Sequence, residues 1–305
     1  MSLVIRLVRP DDAVHFVDLR RRVTPYRVTT PAAVRHWWQS AADASGLLVL
    51  AAELDGEIVG TGHASLDTWT SERGASSGFV MVEPARRGRG IGGALYEALL
   101  EHLRDRGAER VQGWAVDDPE SVAWCGRRGL THTRDLRFSR LDLTDIDALP
   151  EAPPMPDGAT IASWAEVGPV GVHHVTAAAT ADEPNDIAVD AMPYGEWLAD
   201  IWQAPETDLD ASTVVLLDGA PVAYTLIEAD HGSYRVWSGG TGTLREHRGR
   251  GLARMAKSAA LRRAAAGGVT VAYTSNDAAN RPMLAVNNWL GYEACGTELL
   301  YSRQI

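Results

Sequence analysis

The sequence predicts a mixed α/β (α+β) protein in which one domain is written twice. Three observations carry that expectation. The chain is 305 residues long, about twice the length of a single domain. The stretch RRGRGIGG at residues 86–93 returns as HRGRGLAR at residues 247–254, an offset of 161 positions. Each half also holds two strand-like runs joined at an Asp-Gly pair, Asp55-Gly56 and Asp218-Gly219, a strong hairpin signal.

The elements follow the same order in both halves. One or two helical segments precede a meander, LLVLAAEL and EIVGTGHASL in the first half, STVVLL and APVAYTLIEA in the second. A third strand, GFVMVEPA or VWSGGTGT, leads into the glycine-rich loop. The helix beyond it shows one apolar face, made by Ile91, Ala94, Leu95, Ala98, Leu99 and Leu103, or by Leu252, Met255, Ala256, Ala259 and Leu261. Gly107 and Gly268 close these helices at the same offset. Next come the strands ERVQGWAV and VTVAYTS, a helix over 119–128 or 278–290, a turn at Gly129 or Gly291, and a final strand pair reaching Leu143 or Arg303. The proline-rich, acidic run TDIDALPEAPPMPDG reads as a linker, so the expected division is 1–143, linker 144–158, and 159–305.

Composition narrows the function. Hydrophobic residues make up 45% of the chain, as expected of a globular protein. No apolar run is long enough to cross a bilayer and no signal-peptide core opens the chain, so a cytoplasmic protein without a membrane partner is expected. The two cysteines, Cys125 and Cys295, have no metal-ligand spacing, and no metal site is expected. The net charge of -11 argues against a nucleic-acid partner. That charge is uneven: 19 basic against 21 acidic residues before position 151, and 10 against 19 after it. No lysine or arginine occurs between Leu141 and Tyr234, where Asp182, Glu183, Asp186, Asp190, Glu196, Asp200, Glu206, Asp208 and Asp210 crowd together.

A strand that ends in a glycine-rich turn opening a helix presents backbone N–H groups at the positive end of a helix dipole. Glycines admit a phosphate close to the backbone, and arginines add charge-assisted hydrogen bonds, so a pyrophosphate is the natural guest. A nucleotide-hydrolysing loop would need Gly-Lys-Ser/Thr where Gly93-Ala94-Leu95 stands. Gly88, Gly90 and Gly93 do satisfy the GxGxxG spacing of nicotinamide oxidoreductases, but Arg254 replaces the third glycine in the second copy and the loop lies late in each half. Both copies share RxxGx[GA]: Arg87-Gly88-Arg89-Gly90-Ile91-Gly92 and Arg248-Gly249-Arg250-Gly251-Leu252-Ala253.

In this motif the sequence resembles the GNAT superfamily of acyl-CoA N-acyltransferases. The resemblance is strongest over residues 77–143 and 236–303, and implies two tandem GNAT domains, each a mixed, mostly antiparallel central sheet flanked by helices. It also implies that both loops hold the pyrophosphate of acetyl-CoA or coenzyme A, with Val80 and Val82, or Thr241 and Thr243, pairing to the pantetheine. The family's asparagine, eleven residues before the last turn glycine, is matched by Asn280, whereas the first copy has Asp118. The second domain is therefore expected to be catalytic and the first degenerate. The tyrosine that the family uses as general acid is replaced by Cys125 and Asn287, leaving Asn287, water or Tyr292 near the leaving thiol, itself a fair leaving group. Cys125 reads as a structural cysteine. A base for the acceptor amine is sought among Glu228, Asp230 and His231, or His63 and Asp67 in the first half, with Glu228 and His231 preferred. Two glycines near 240–243 permit a bulge whose N–H would meet the developing oxyanion. The expected reaction is acetyl transfer from acetyl-CoA to a small-molecule primary amine, cationic like a polyamine or aminosugar, drawn by the acidic segment. Trp197, Trp202, Tyr194, His173 and His174 read as pocket wall or core. The competing expectation is a non-catalytic acyl-CoA-binding protein.

Overall fold

The computed structural model describes residues 2–41, 43–180, 190 and 192–305. Asp182, Glu183 and Asp186 of the acidic segment lie outside these residues. Two compact units divide the chain: the first holds Met1–Leu136 with Gly296–Ile305, and the second holds most of the residues from 137 to 295.

In chain order the first unit contains β1 (Leu3–Leu7), α1 (Asp12–Val23), α2 (Pro31–Ser40), β2 (Leu48–Leu54), β3 (Glu57–Leu66), β4 (Ala75–Val82), α3 (Ile91–Asp105), β5 (Arg110–Val116) and α4 (Pro119–Gly126). Strand β6 (Thr131–Asp142) begins in it. The second unit contains β7 (Ala159–Ser163), α5 (Trp164–Val167), α6 (Pro169–Thr180), α7 (Tyr194–Trp197), β8 (Thr213–Leu217), β9 (Ala220–Asp230), β10 (Arg235–Thr243), α8 (Leu252–Ala266), β11 (Val271–Asp277) and α9 (Arg281–Leu290). Strand β12 (Glu293–Gln304) ends the chain. Where a strand pair was expected at the end of each half, a single twelve-residue strand stands, running through Asp135 in one and Gly296 in the other.

Each unit is a mixed sheet of the same plan. Strands β1, β2, β3 and β4 are antiparallel neighbours, and β5 runs parallel to β4. Likewise β7, β8, β9 and β10 are antiparallel, with β11 parallel to β10. Both Asp-Gly turns take positive φ at both residues, 52° and 88° at Asp55-Gly56, 50° and 82° at Asp218-Gly219, which suits the right-handed twist of the strands they join. Helix α3 lays Ile91, Leu95, Leu99 and Leu103 on β2 and β3. Helix α8 does the same for the second sheet with Leu252, Met255, Ala256 and Leu261. Trp164 and Trp197 are buried with Val172 and Tyr224 in a separate core under α6.

The division differs from the expected one at both ends. Residues 298–304 of β12 pair antiparallel with residues 110–116 of β5, which places the last strand in the first unit. Leu141 and Leu143 are buried in the core of the second unit, and Leu143 N–H donates to Thr270 O at 2.8 Å. The final strand of each half therefore completes the other half's unit.

Candidate active site

A wedge, a loop and a helix N-terminus come together in each unit. In the first, β4 and β5 pair only over residues 75–77 and 110–112, after which the ladder stops. Gly113 marks the parting point, since a Cβ there would lie 2.1 Å from Gly78 O. In the second, β10 and β11 pair over 235–237 and 271–273 and then part in the same way. Parted parallel strands leave backbone N–H and C=O groups for a ligand to use.

The loop follows the free end of β4 or β10. Gly88 and Gly90 have φ of 74° and 82°, and Gly249 and Gly251 have 79° and 77°, left-handed values that glycine adopts without strain. An added Cβ at Gly88 or Gly90 would meet nothing within 4 Å, so the first loop faces open space; in the second, Gly249 is equally open, but a Cβ on Gly251 would lie 3.4 Å from Pro153 of the linker. The first intrahelical bonds run from Ala94 N–H to Gly90 O and from Met255 N–H to Gly251 O. The N–H groups of Ile91, Gly92 and Gly93, and of Leu252, Ala253 and Arg254, are thus left for an anion. Arg89 and Arg250 project from the exposed loop. Arg248 Nε donates to Thr243 O at 3.1 Å, while Arg87 lies 3.7 Å from Asp118 and 3.4 Å from Glu120.

In the first unit the wedge opens into a cleft of about 790 Å³ that runs from the loop past Val80 and Val82 to Phe79. Sequence reading missed part of its wall: Tyr96, and Arg128 stacked 3.9 Å over the Trp124 ring. The Arg-Arg-Gly at the end of α4 was the available signal. In the second unit Thr241 faces Thr225, their hydroxyls 3.1 Å apart, at the matching place on β10.

The residues expected to differ between the copies share one local task. Asn280 and Asp118 are the N-caps of α9 and α4: Asn280 Oδ1 accepts from Met283 N–H at 3.3 Å, and Asp118 Oδ1 from Ser121 N–H at 2.9 Å. Either side chain caps a helix about equally well. A sharper difference lies in the strands before the loops. Residues 60–66 of β3 pair with residues 76–82 of β4 without a break. In β10 the register shifts between Ser238 and Thr241, so Gly239 and Gly240 together oppose Leu226. This is a β-bulge, which unpairs backbone N–H groups beside the wedge.

Glu228 stands next to that bulge. It pairs with Trp237 across the ladder, and a Cβ on Gly239 would lie 3.0 Å from its Oε2. Burial and the neighbouring Glu206 push its carboxyl up to about 7. The remaining candidates are placed otherwise. His231 is exposed on the turn after β9 with Nε2 3.6 Å from Asp208, and Asp230 accepts from Ser233 on the same turn. In the first unit His63 packs against Trp37 and Phe79, and burial with Arg20 and Arg27 nearby drives it down to about 3. Asp67 is held by Ser77 and Gln112. Asn287 is buried and its Nδ2 donates to Asn276 Oδ1. Burial raises the Cys125 thiol to about 11 and pushes Tyr292 far above its usual range.

The family model described as the acetyltransferase (GNAT) family matches the chain twice, at residues 14–129 and 176–292. The chain belongs to the GNAT acetyltransferase family. It is an acetyltransferase enzyme whose acyl donor is acetyl-CoA, and the dinucleotide reading of Gly88, Gly90 and Gly93 falls away. A mycothiol acetyltransferase of Catenulispora acidiphila is 29% identical over 252 residues, which cover 79% of this chain and 76% of that protein. An aminoglycoside N(6')-acetyltransferase type 1 of Stenotrophomonas maltophilia is 30% identical over 145 residues, covering 46% of this chain and 93% of that protein. A tandem GNAT protein from the clavulanic acid biosynthesis pathway has the same fold, with a TM-score of 0.76 at 20% identity, over 99% of this chain and 98% of that one. No helix among the described residues is long and apolar enough to cross a membrane.

Acetyl-CoA carries a pyrophosphate and a long amide-bearing arm, and the first unit fits those parts with an open glycine loop, free first-turn N–H groups and a cleft between parted strands; the second unit repeats the loop, the N–H groups and the parted strands, with Pro153 against Gly251. When bound it supplies an activated acetyl group.

Proposed function

We propose that the second unit acetylates a small-molecule primary amine of cationic, aminosugar-like character. One observation carries this reading: the bulge at Gly239 and Gly240, with a mostly buried carboxylate beside it, occurs in β10, whereas β4 pairs with β3 without a break. A carboxylate whose pKa sits near neutrality is suited to take a proton from an ammonium acceptor at its own operating pH. The N–H groups at the bulge meet the charge that develops on the carbonyl oxygen. Glu206 and Asp208, running alongside β9, add negative charge that attracts a cation. Arg248, Gly249, Arg250, Gly251, Leu252 and Ala253 hold the pyrophosphate, with Thr241 and Thr243 along the arm. The aminoglycoside named by the Stenotrophomonas maltophilia relative supports the aminosugar class.

The first unit holds acetyl-CoA in its cleft through Arg87, Gly88, Arg89, Gly90, Ile91 and Gly92 without turning it over. His63, driven down to about 3, is too weak a base for an amine. The test is thiol release from acetyl-CoA with a panel of aminosugars, aminoglycosides and polyamines. Gly251→Glu should abolish turnover, and Gly90→Glu should leave it within a few-fold of wild type; the reverse pattern would move the active site to the first unit.

A further inference from the structure

Lys257 is the only lysine in the sequence, among 28 arginines, and its side chain is completely buried. It lies on α8 in the second unit. Nζ is 3.3 Å from Thr274 Oγ1 and 5.1 Å from the centre of the Tyr292 ring. No carboxylate pairs with it among the described residues, and burial alone draws its ammonium down to about 7. An unpaired buried cation is costly, of the order of several kcal/mol, and nothing in the packing of α8 calls for one, since the matching residue on α3 is Tyr96.

The internal repeat says what this lysine faces. At the offset of 161, Lys257 and Thr274 match Tyr96 and Gly113; counted from the turn glycines Gly291 and Gly129, where the offset has become 162, Asn287 and Tyr292 match Cys125 and Leu130, and those four first-copy residues line the cleft of the first unit. By that correspondence, the polar cluster stands where the first unit has the wall of its cleft. From β11, Thr274 Oγ1 donates to Ser238 O at 2.8 Å, so the chain of contacts from Lys257 ends on the residue that opens the bulge. Glu228 touches the bulge at the next residue, Gly239. The groups in contact with Lys257 are neutral, Thr274 Oγ1 and the Tyr292 ring, and Asn287 Oδ1 is buried and without a hydrogen-bond partner.

We infer that Lys257 is the proton donor to the departing thiolate, standing in for the general acid that Asn287 cannot supply. This rests on the second unit being the place of reaction. The acceptor nitrogen bonds to the acetyl carbon while the carbon–sulfur bond breaks, and the sulfur leaves with the electron pair and takes a proton from the Lys257 ammonium. Glu228 takes the first proton from the ammonium acceptor and passes it to solvent, takes the second as the carbon–nitrogen bond forms, and exchange with solvent then deprotonates Glu228 and reprotonates Lys257 between turnovers, with one proton released overall. Charge and protons balance, and no further reactant is needed.

Because the chain holds a single lysine, labelling with [ε-¹³C]lysine gives one resonance that reads this group directly. In a Gly90→Glu background, which leaves only the second loop, CoA should move the resonance toward the ammonium position and raise its midpoint by at least one pH unit. Desulfo-CoA should bind equally and leave the midpoint in place. Lys257→Met should fold, since an apolar chain of similar length replaces a buried charge, and should lower kcat about 100-fold with the KM for acetyl-CoA within three-fold. Lys257→Arg, whose proton is not released, should be as slow. An equal response to CoA and desulfo-CoA overturns the proton-donor role alone. Acetylation of Lys257 by acetyl-CoA without acceptor also overturns it, making the residue an acceptor. No CoA binding by the Gly90→Glu chain overturns the second-unit reading, and this inference with it.

Discussion

Glu228 sits in a strand whose neighbours are almost all apolar, and its acidity follows from that placement. A carboxyl raised from 4.5 to about 7, chiefly by desolvation, is half-charged near neutrality, so turnover should rise with pH toward about 7 as the base form appears and fall beyond it as the Lys257 ammonium, also drawn to about 7, loses its proton. Glu228→Gln should lower kcat by about 10²- to 10⁴-fold and remove the rising limb, with acetyl-CoA binding unchanged in calorimetry. The same shift has a stability consequence. Between pH 4.5 and 7 the folded chain keeps a proton that the unfolded chain has released, so stability falls as pH rises across that window. Melting temperatures of wild type should therefore drop relative to those of Glu228→Gln as pH is raised from 5 to 8, and parallel curves would show that the carboxyl is not desolvated. Glu228 was legible in the sequence only as one of several polar residues ending a strand. Its separation from His231, three residues on, needed the structure, because β9 runs to Asp230 and His231 opens the turn, exposed to solvent.

At the scale of elements, much of the site was written locally. The Asp-Gly turns, the positive-φ glycines of both loops and the helix-closing Gly107 and Gly268 each depend on a few adjacent residues, so sequence alone places them. The bulge was half legible: a run of glycines in VWSGGTGT permits one, yet its position at Gly239 and Gly240 is set by β9. Crowding around β10 shows how closely this strand is packed. A Cβ at Gly242 would lie 2.6 Å from Ala179 Cβ on α6 and 2.8 Å from the Tyr224 ring. Neither neighbour is a flexible chain end, so Gly242→Ala should cost about 1–3 kcal/mol through overpacking. Denaturant unfolding would read it, and an unchanged midpoint would mean that α6 sits looser on β10 than its packing implies. Asp118 and Asn280 show the opposite limit of local reading, since their difference in charge suggested lost function while capping explains both.

For the whole molecule, the repeat was visible as an offset of 161 residues, but the exchange of final strands was not. The side-chain pattern of a strand fixes which face is buried without fixing which edge is joined. The edge is chosen by long-range partners. Glu298 on β12 is fully buried and is held by both forks of Arg27, from the turn after α1. Removing one side of such a pair strands the other in a low-dielectric setting, so Arg27→Ala should destabilise the first unit by about 3–5 kcal/mol, whereas a matched apolar pair at both positions should recover most of that. The larger test concerns the fragment 1–143, the expected first domain. It lacks the strand that pairs along β5 and therefore exposes both an unpaired edge and the underside of Leu300 and Tyr301's site. The fragment should show no cooperative thermal transition, and a peptide spanning residues 293–305 should restore one; cooperative folding of 1–143 by itself would mean that β12 adds to the first unit without completing it.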